Sequence, residues 1–318
     1  MNITIDIINA VKAADTVLVC GHIRPDGDCV SSATAMGLIC EKLGKKVDVT
    51  SGDGEKPENM SFLPRYDRFC ELRYKKYDLF IAVDCATVAR LGDNVMYLNT
   101  AKNSVCIDHH PTNERYGKIN YVDASASSTC AILYDIFKDE NLIDKDIATA
   151  LYSGLSTDTG HFMHSNTDAK TFGIARELAE FGFDIGEINH CIYGSNSLKK
   201  TRLTARALDS IRLYEGGKIA LMVISREDLA ACECTSLDTE GLIDNASNIA
   251  GVEISISMCE QPGAIFRVSF RSRHADVAAA AAKFGGGGHK LAAGCIVAGN
   301  RFDVADKLIA AASSALKA

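Results

Sequence analysis

Three consecutive residues, Asp108-His109-His110, place one carboxylate and two imidazoles directly after the apolar run 104–107. Similar side chains occur at three other places: His22, Asp26 and Asp28 on one loop, Asp84 after an apolar run, and Asp158 after a helical stretch. Buried carboxylates repel one another and lose their hydration, so gathering several of them requires a strong cation. The pattern therefore predicts a hydrolase that uses two divalent metal ions.

Each of these fragments also has an ordinary structural explanation. A single Asp after a strand often caps a helix, and an Asp-Gly-Asp turn is often a solvated loop. The combination favours chemistry instead, because the H-x-x-x-D-x-D spacing over 22–28 puts three ligand-type side chains on one tight loop. Pro25 and Gly27 fix the turn of that loop.

The elements that would position these residues are those of a parallel sheet. Short β-branched runs alternate with helical stretches such as 29–43, and the runs lie at 16–20, 46–50, 79–83 and 104–107. This alternation is typical of an α/β fold with helices on both faces of a parallel sheet. The carboxyl ends of parallel strands open onto one crevice. We therefore expect His22, Asp84 and Asp108 to meet there.

The rest of the chain is predicted to complete this domain and to form another. Helices over 128–138, 146–155 and 168–181 would cover the sheet and deliver Asp158 on a turn. A smaller α/β domain would follow, with strands at 219–224, 252–258, 264–270 and 295–297 and helices at 238–249 and 275–284. We predict a metal-binding catalytic domain over 1–185, a linker over 186–212 and a substrate-binding domain over 213–318. The active site is expected in the cleft between the two domains.

Composition limits the class of protein and its partners. With 318 residues, of which 47% are hydrophobic, the chain can form two domains with separate cores. Its formal net charge of −7 argues against the tracking of long nucleic acids, which needs many cationic side chains. A short phosphorylated ligand is still compatible with this charge.

The 12 cysteines are scattered and form no C-x-x-C motif, so neither a zinc knuckle nor a disulfide framework is predicted. Residues 1–17 lack the features of a signal peptide, and no transmembrane span is expected. The expected location is therefore the reducing cytoplasm. Cys29 and Cys85 flank proposed ligands, and we interpret both as small buried side chains.

Taken together, the four acidic motifs resemble those of the DHH phosphoesterase family. They are His22-x-x-Pro25-Asp26-x-Asp28, Val83-Asp84, Asp108-His109-His110 and Asp158-Thr159-Gly160. Further on, Ser269-Phe270-Arg271-Ser272 and the glycine-rich segment 285–294 resemble the DHHA1 domain that accompanies them. The resemblance covers nearly the whole chain.

This resemblance implies a site with two divalent metal ions. One ion would be held by His22, Asp26 and Asp84, and the other by Asp28, Asp84, His109 and Asp158, with Asp84 shared. Mixed imidazole and carboxylate ligands suit Mn²⁺ better than Ca²⁺, and the family resemblance also implies manganese. Two such ions would activate a water for attack on phosphorus.

The resemblance also assigns roles outside the metal ligands. His110 would face the phosphate as a hydrogen-bond donor or as an acid for the leaving oxygen, and Asp108 would orient a histidine. Arg271 and His289 would bind the phosphate or nucleotide. Gly286, Gly287 and Gly288 would bring bare backbone amides near the ligand, the alternative being a flexible linker.

The pairing of these two domains resembles family members that trim very short RNAs to mononucleotides and dephosphorylate 3′-phosphoadenosine 5′-phosphate. We therefore predict a phosphoesterase for short RNA oligonucleotides and small nucleotides. One alternative is a phosphodiesterase for cyclic or linear dinucleotides such as di-adenylate. Another is a non-catalytic nucleotide sensor, which would have lost a metal ligand. A homodimer is compatible with the sequence, and no membrane partner is expected.

Overall fold

The computed structural model describes residues 3–317. The chain divides into two compact units, the first ending at Ser195 and the second beginning at Asn196. Each unit has its own β-sheet and its own hydrophobic core. Within the described residues, we find no helix whose length and apolar character would let it span a bilayer.

A five-stranded parallel sheet forms the centre of the first unit. Its strands are β1 (Thr16–Cys20), β2 (Lys46–Thr50), β3 (Leu79–Val83), β4 (Asn103–Asp108) and β5 (Ile119–Val122). Their order is β2-β1-β3-β4-β5, and all neighbouring strands are parallel. The predicted parallel sheet is therefore confirmed. Because β1, β3 and β4 are neighbours, the three motifs that follow them leave the sheet side by side.

Helices connect the strands of this unit, and polar residues fix where several of them begin. They are α1 (Ile3–Ala13), α2 (Gly27–Lys42), α3 (Val95–Thr100), α4 (Thr129–Phe137), α5 (Lys145–Asp158), α6 (Ala169–Ala179) and α7 (Ile185–Asn189). Asp26 caps α2 by accepting the Cys29 backbone N–H at 3.1 Å, and Ser128 caps α4 in the same way. The first acidic loop thus leads directly into a helix.

Some local expectations were wrong. Asp158 is the last residue of α5, whereas a turn was predicted there. The helices α1 and α3 and the edge strand β5 were not predicted. Helix α2 begins at Gly27 instead of residue 29.

Both faces of the first sheet are buried. Val17 and Val19 belong to the core cluster that contains the apolar sides of α2, α4 and α5, whereas Leu18 belongs to a separate cluster with Phe80 and Cys106. Successive side chains of a strand point to opposite faces, so a strand covered on both sides reads as a continuous apolar run. This is why β1, β3 and β4 could be predicted from the sequence.

The second unit contains a six-stranded mixed sheet. Its helices and strands are α8 (Leu198–Asp209), β6 (Arg212–Tyr214), β7 (Ile219–Ile224), α9 (Arg226–Ala231), α10 (Leu242–Ser247), β8 (Ile254–Gln261), β9 (Ile265–Ser272), α11 (Val277–Ala282), β10 (Gly287–His289), β11 (Ala292–Ala298) and α12 (Arg301–Leu316). The strand order is β10-β11-β9-β8-β7-β6. Strands β7 and β8 are parallel, and the other neighbouring pairs are antiparallel.

Helices pack on both faces of this sheet. Apolar residues of α11 and α12 share a core cluster with Val268 and Phe270 of β9, which places both helices on one face. Residues of α8 and α10 share another cluster with Ala220 and Met222 of β7, on the opposite face. Helix α8 lies within the segment predicted as a linker, and its buried Leu203 assigns it to the second unit.

Candidate active site

Asp84 lies at the centre of the polar cluster in the first unit. It follows β3 with a φ of 52°, in the left-handed region that Gly, Asn and Asp adopt more readily than most other residues. Its Oδ2 atom lies 3.6 Å from His22 Nε2, and its Oδ1 atom lies 3.6 Å from His109 Nε2. The two oxygens of one buried carboxylate therefore face two different histidines.

The first group of potential metal ligands surrounds Asp84 Oδ2. His22 Nε2 lies 3.6 Å from Asp26 Oδ2, while His22 Nδ1 lies 2.8 Å from the carbonyl of Ile23. In the tautomer with hydrogen on Nδ1, that hydrogen bonds to this carbonyl, which can only accept. The Nε2 lone pair is then directed towards the two carboxylates, as a metal ligand would require.

The second group surrounds Asp84 Oδ1. His109 Nε2 lies 3.7 Å from Asp158 Oδ2, and potential ligand atoms of Asp28, Asp84 and His109 lie within 4.8 Å of one another. Burial, reinforced by the charges of Asp84 and Asp158, raises the pKa of Asp28 well above its usual range. Asp28 therefore resists ionisation beside these two acids, whereas His22, His110 and His109 outweigh burial and hold the pKa of Asp84 well below its usual range.

The first turn of α4 provides donors to the same carboxylates. Asp28 accepts the backbone N–H of Thr129 at 2.7 Å and that of Cys130 at 3.1 Å, one on each oxygen. The Thr129 hydroxyl donates to Asp84 Oδ1 at 3.0 Å. A helix N-terminus favours negative charge, so α4 both orients and stabilises these two acids.

Asp108 has a different environment from the other acids. It is fully buried, and its Oδ1 atom accepts hydrogen bonds from His110 Nδ1 at 2.7 Å and from the His109 backbone N–H at 2.8 Å. Burial alone would lower the pKa of His110, but the bond to Asp108 and the charge of Asp84 outweigh burial and raise it to about 9. Asp108 thus orients a cationic His110 through Nδ1.

Sequence reasoning missed three residues that hold these groups. The first, Arg90, accepts the Ile23 backbone N–H at 2.8 Å with its carbonyl. Its Nη2 atom lies 2.9 Å from His22 Nδ1, a contact that becomes a hydrogen bond when Nδ1 carries no hydrogen. The others are Thr129 and Asn113. Thr129 could have been found from the sequence, because a helix was predicted over 128–138 and Thr129 then lies in its first turn.

The loops that carry His22 and Arg90 also meet at Gly52. A Cβ atom on Gly52 would lie 2.7 Å from the backbone nitrogen of Ile23 and would also collide with the Arg90 carbonyl oxygen. Only glycine leaves enough room for this approach. Three backbone segments are therefore packed directly against one another beside His22.

In the second unit, the structure brings Arg271 and His289 onto one face of the sheet. Arg271 pairs with Ala292, and Ala292 pairs with His289 on the edge strand β10. Directly opposite residues on neighbouring strands project from the same face. Phe270 lies in the core beneath α11 and α12, so Arg271 and His289 project from the opposite face, where both are partly exposed.

The glycine run is part of this sheet and is not a flexible linker. Gly287 and Gly288 belong to β10 and pair with Gly294 and Ala293. A Cβ on Gly288 would lie 2.5 Å from the Ala292 carbonyl oxygen, and one on Gly286 would collide with that of Gly294. At these two positions glycine allows the strands to approach, whereas Gly287 has open space beside it.

A parallel sheet with acids and imidazoles gathered at its carboxyl edge, followed by a second unit with a mixed sheet, is the architecture of a hydrolase suited to bind metal ions. Comparison with known sequences gives the family. The DHH family, N-terminal domain, matches residues 16–155, and the DHHA1 domain matches residues 229–318.

A relative from Streptococcus mutans, named "Probable bifunctional oligoribonuclease and PAP phosphatase NrnA", is 30% identical over 290 residues, covering 91% of each chain. The Bacillus subtilis protein named "Bifunctional oligoribonuclease and PAP phosphatase NrnA" is 29% identical over 309 residues, covering 96% of each chain. A solved structure of an exopolyphosphatase-related protein from Bacteroides fragilis has the same fold, with a TM-score of 0.88 at 21% identity over 98% of this chain and 96% of that chain. The present chain belongs to the DHH family and carries a DHHA1 domain.

Proposed function

We propose that this protein is a two-metal phosphoesterase that hydrolyses short oligoribonucleotides to mononucleotides and dephosphorylates 3′-phosphoadenosine 5′-phosphate. The observation that carries the proposal is the position of Asp84, whose Oδ2 and Oδ1 atoms lie 3.6 Å from His22 Nε2 and from His109 Nε2. A carboxylate that faces two sets of ligand-type donors is suited to bridge a pair of cations. The names of the Streptococcus mutans and Bacillus subtilis relatives support the choice of substrates.

These nitrogen and oxygen ligands fit two divalent ions, and we propose that both ions are Mn²⁺. His22, Asp26 and Asp84 would hold one ion, and Asp28, Asp84, His109 and Asp158 would hold the other. The four carboxylates would balance the charge of two such ions, and mixed nitrogen and oxygen donors favour manganese over calcium. When bound, paired divalent ions lower the pKa of a water nucleophile and stabilise charge on the phosphate.

The protein's own groups would complete the chemistry at the phosphate. Asp108 holds the Nδ1 atom of His110 at 2.7 Å, so Nε2 is the atom that can donate to a phosphate or leaving oxygen. The raised pKa of His110, about 9, keeps this donor protonated near neutral pH. His110 is therefore our candidate for the acid that assists departure of the leaving oxygen.

Arg271 and His289 are proposed to bind the substrate in the second unit. They project from the same face of the sheet and are separated only by the small residue Ala292. An arginine can form paired hydrogen bonds with phosphate oxygens, and a histidine can add another donor. This small cationic surface suits a ligand of a few nucleotides better than a long strand.

A hydrolysis panel tests this proposal. The purified protein would be treated with chelator, reconstituted with Mn²⁺, Mg²⁺ or Zn²⁺, and assayed on di- to pentaribonucleotides, the bisphosphonucleotide, pyrophosphate and cyclic dinucleotides. We expect the highest kcat/KM on diribonucleotides with Mn²⁺, and release of phosphate from the bisphosphonucleotide. A clear preference for cyclic dinucleotides would instead establish the alternative function, and a lack of hydrolysis on every substrate would favour a nucleotide sensor.

We also propose a cytoplasmic location. All of the protein's cysteines are free in the structure, including several that are fully buried. Such cysteine usage is typical of a reducing compartment. Fractionation of cells that express the tagged protein would test this location.

A further inference from the structure

We propose that Asn113 is a positioning residue that keeps the His110 imidazole aimed at the phosphate, acting through Asp108. The inference rests on the proposed function, since it assumes that His110 acts on the phosphate or leaving oxygen. It concerns a residue three positions beyond the Asp-His-His motif that no comparison assigns.

The Asn113 amide group joins two of the motif loops. Its Nδ2 atom donates to Asp108 Oδ2 at 2.6 Å and to the carbonyl of Cys85, next to Asp84, at 3.1 Å. Its Oδ1 atom accepts the backbone N–H of Arg115 at 2.7 Å. Because the nitrogen faces two acceptors and the oxygen faces a donor, the amide can adopt only this orientation without losing hydrogen bonds.

Asn113 determines which way the Asp108 carboxylate points. Within residues 3–317, Asn113 supplies the hydrogen bond to Asp108 Oδ2, while Oδ1 accepts from His110 Nδ1 at 2.7 Å. Asp108 is fully buried, so an oxygen that lost its donor could not turn to bulk water. Without Asn113, His110 and the His109 backbone N–H would still bond to Oδ1, but Oδ2 would lose its donor and the carboxylate could pivot about Oδ1, which would loosen the bond to His110.

The backbone fixes Asn113 in place. Its own N–H donates to the His110 carbonyl at 3.1 Å, and the next residue, Glu114, donates its N–H to Ala86 at 2.9 Å. The turn after the motif is thereby tied to the loop after Asp84. These two backbone hydrogen bonds restrict the movement of the Asn113 side chain, and the bond from Asn113 in turn restricts the rotation of the Asp108 carboxylate.

The experiment compares Asn113→Leu, which keeps the size of the side chain and removes its hydrogen bonds, with Asn120→Leu as the matched control. The Asn120 amide also makes two hydrogen bonds: its Oδ1 accepts the Gly117 N–H at 2.9 Å and its Nδ2 donates to the Gly117 carbonyl at 2.6 Å. Neither bond involves Asp108. We expect Asn113→Leu to lower kcat on a diribonucleotide about 10- to 100-fold, with little change in KM. Asn120→Leu should leave kcat within about twofold.

Two further measurements separate positioning from general damage. The loss in Asn113→Leu should be much smaller on a p-nitrophenyl phosphodiester, whose leaving group needs no proton, and should disappear when His110→Gln is already present. An equal loss on both substrates, or an undiminished loss in the His110→Gln background, would overturn the proposal.

A readout independent of turnover distinguishes this inference from the proposed function. The downfield proton resonance of His110 Nδ1–H, assigned by its absence in His110→Gln, should be present in the wild type and lost or shifted in Asn113→Leu. Its persistence unchanged would contradict the role of Asn113 even in an active enzyme. A wild type that hydrolyses nothing would refute the proposed function while this resonance still decides the positioning role. If Asn113→Leu does not fold, Asn113→Ser provides the same comparison with a smaller side chain.

Discussion

The Thr129 hydroxyl donates a hydrogen bond of 3.0 Å to Oδ1 of Asp84, the oxygen that faces His109. Both residues are buried, so this bond helps to fix the rotation of the carboxylate that we propose to bridge two cations. Thr129→Val removes the hydroxyl and keeps the branched shape. We expect the affinity for Mn²⁺, measured by calorimetry, to fall about 10-fold.

Thr149→Val is the control for this change. The Thr149 hydroxyl donates within its own helix to the Lys145 carbonyl at 2.8 Å and does not approach the acids. Its Mn²⁺ affinity should match the wild type. Equal affinities for Thr129→Val and the wild type would show that the hydroxyl does not support metal binding.

Asp84→Asn tests the shared ligand directly. Asparagine tolerates the left-handed backbone of this position, where φ is 52°, so the fold should be preserved. We expect hydrolysis to fall roughly 100-fold or more, since one ligand of each ion is weakened. Addition of Mn²⁺ should raise the unfolding temperature of the wild type but hardly that of Asp84→Asn. The exposed Asp93→Asn is the control, and normal turnover in Asp84→Asn would disprove our metal assignment.

Arg271→Ala and His289→Ala should weaken substrate binding and spare metal binding. Both side chains lie in the second unit, whereas the proposed metal ligands all lie in the first. The loss of a charged hydrogen bond, about 1.5–3 kcal/mol, corresponds to a KM increase of roughly 10- to 100-fold. Arg301→Ala removes the same charge from the first turn of α12, an exposed position, and should leave KM unchanged. An unaltered KM in both Arg271→Ala and His289→Ala would exclude this surface from substrate binding.

The activity should decline on the alkaline side as His110 loses its proton. The pKa of His110 is raised to about 9, so the acid form predominates below that pH and disappears above it. Bound cations would lower this value, which places the alkaline limb of kcat at or below pH 9. His110→Gln should have a lower kcat and no such limb in a pH profile measured on a diribonucleotide. A wild-type limb that persists in His110→Gln must come from another group.

Much of the site could be predicted because metal-binding residue types follow strand ends. The apolar runs of β1, β3 and β4 are continuous since both faces of each strand are buried, and the acids after them stand out by contrast. The edge strand β5 has no such signal, because all of its residues are half-buried. Helix α1 buries Ile7, Ile8 and Val11, whose helical spacing is a signal that the sequence does contain.

The residues that hold the site in place could not be found in this way. Arg90 lies six residues beyond Asp84 in a 3₁₀-helical segment, and its contact with His22 depends on how two distant parts of the chain pack. Asn113 reaches Cys85 across 28 positions of sequence. Side-chain contacts of this kind arise from tertiary structure, which a pattern along one chain does not contain.

The tight meeting of loops at Gly52 also bears on attempts to redesign this protein. In a library that varies the region around the metal ligands, residue 52 should tolerate almost no other side chain, because any Cβ would push against Ile23 and Arg90 together. In deep mutational scanning, substitutions of Gly52 should therefore abolish activity although this residue is not a proposed metal or substrate ligand. Attempts to graft new loops onto this scaffold should therefore keep that glycine and exchange the neighbouring segments as one block.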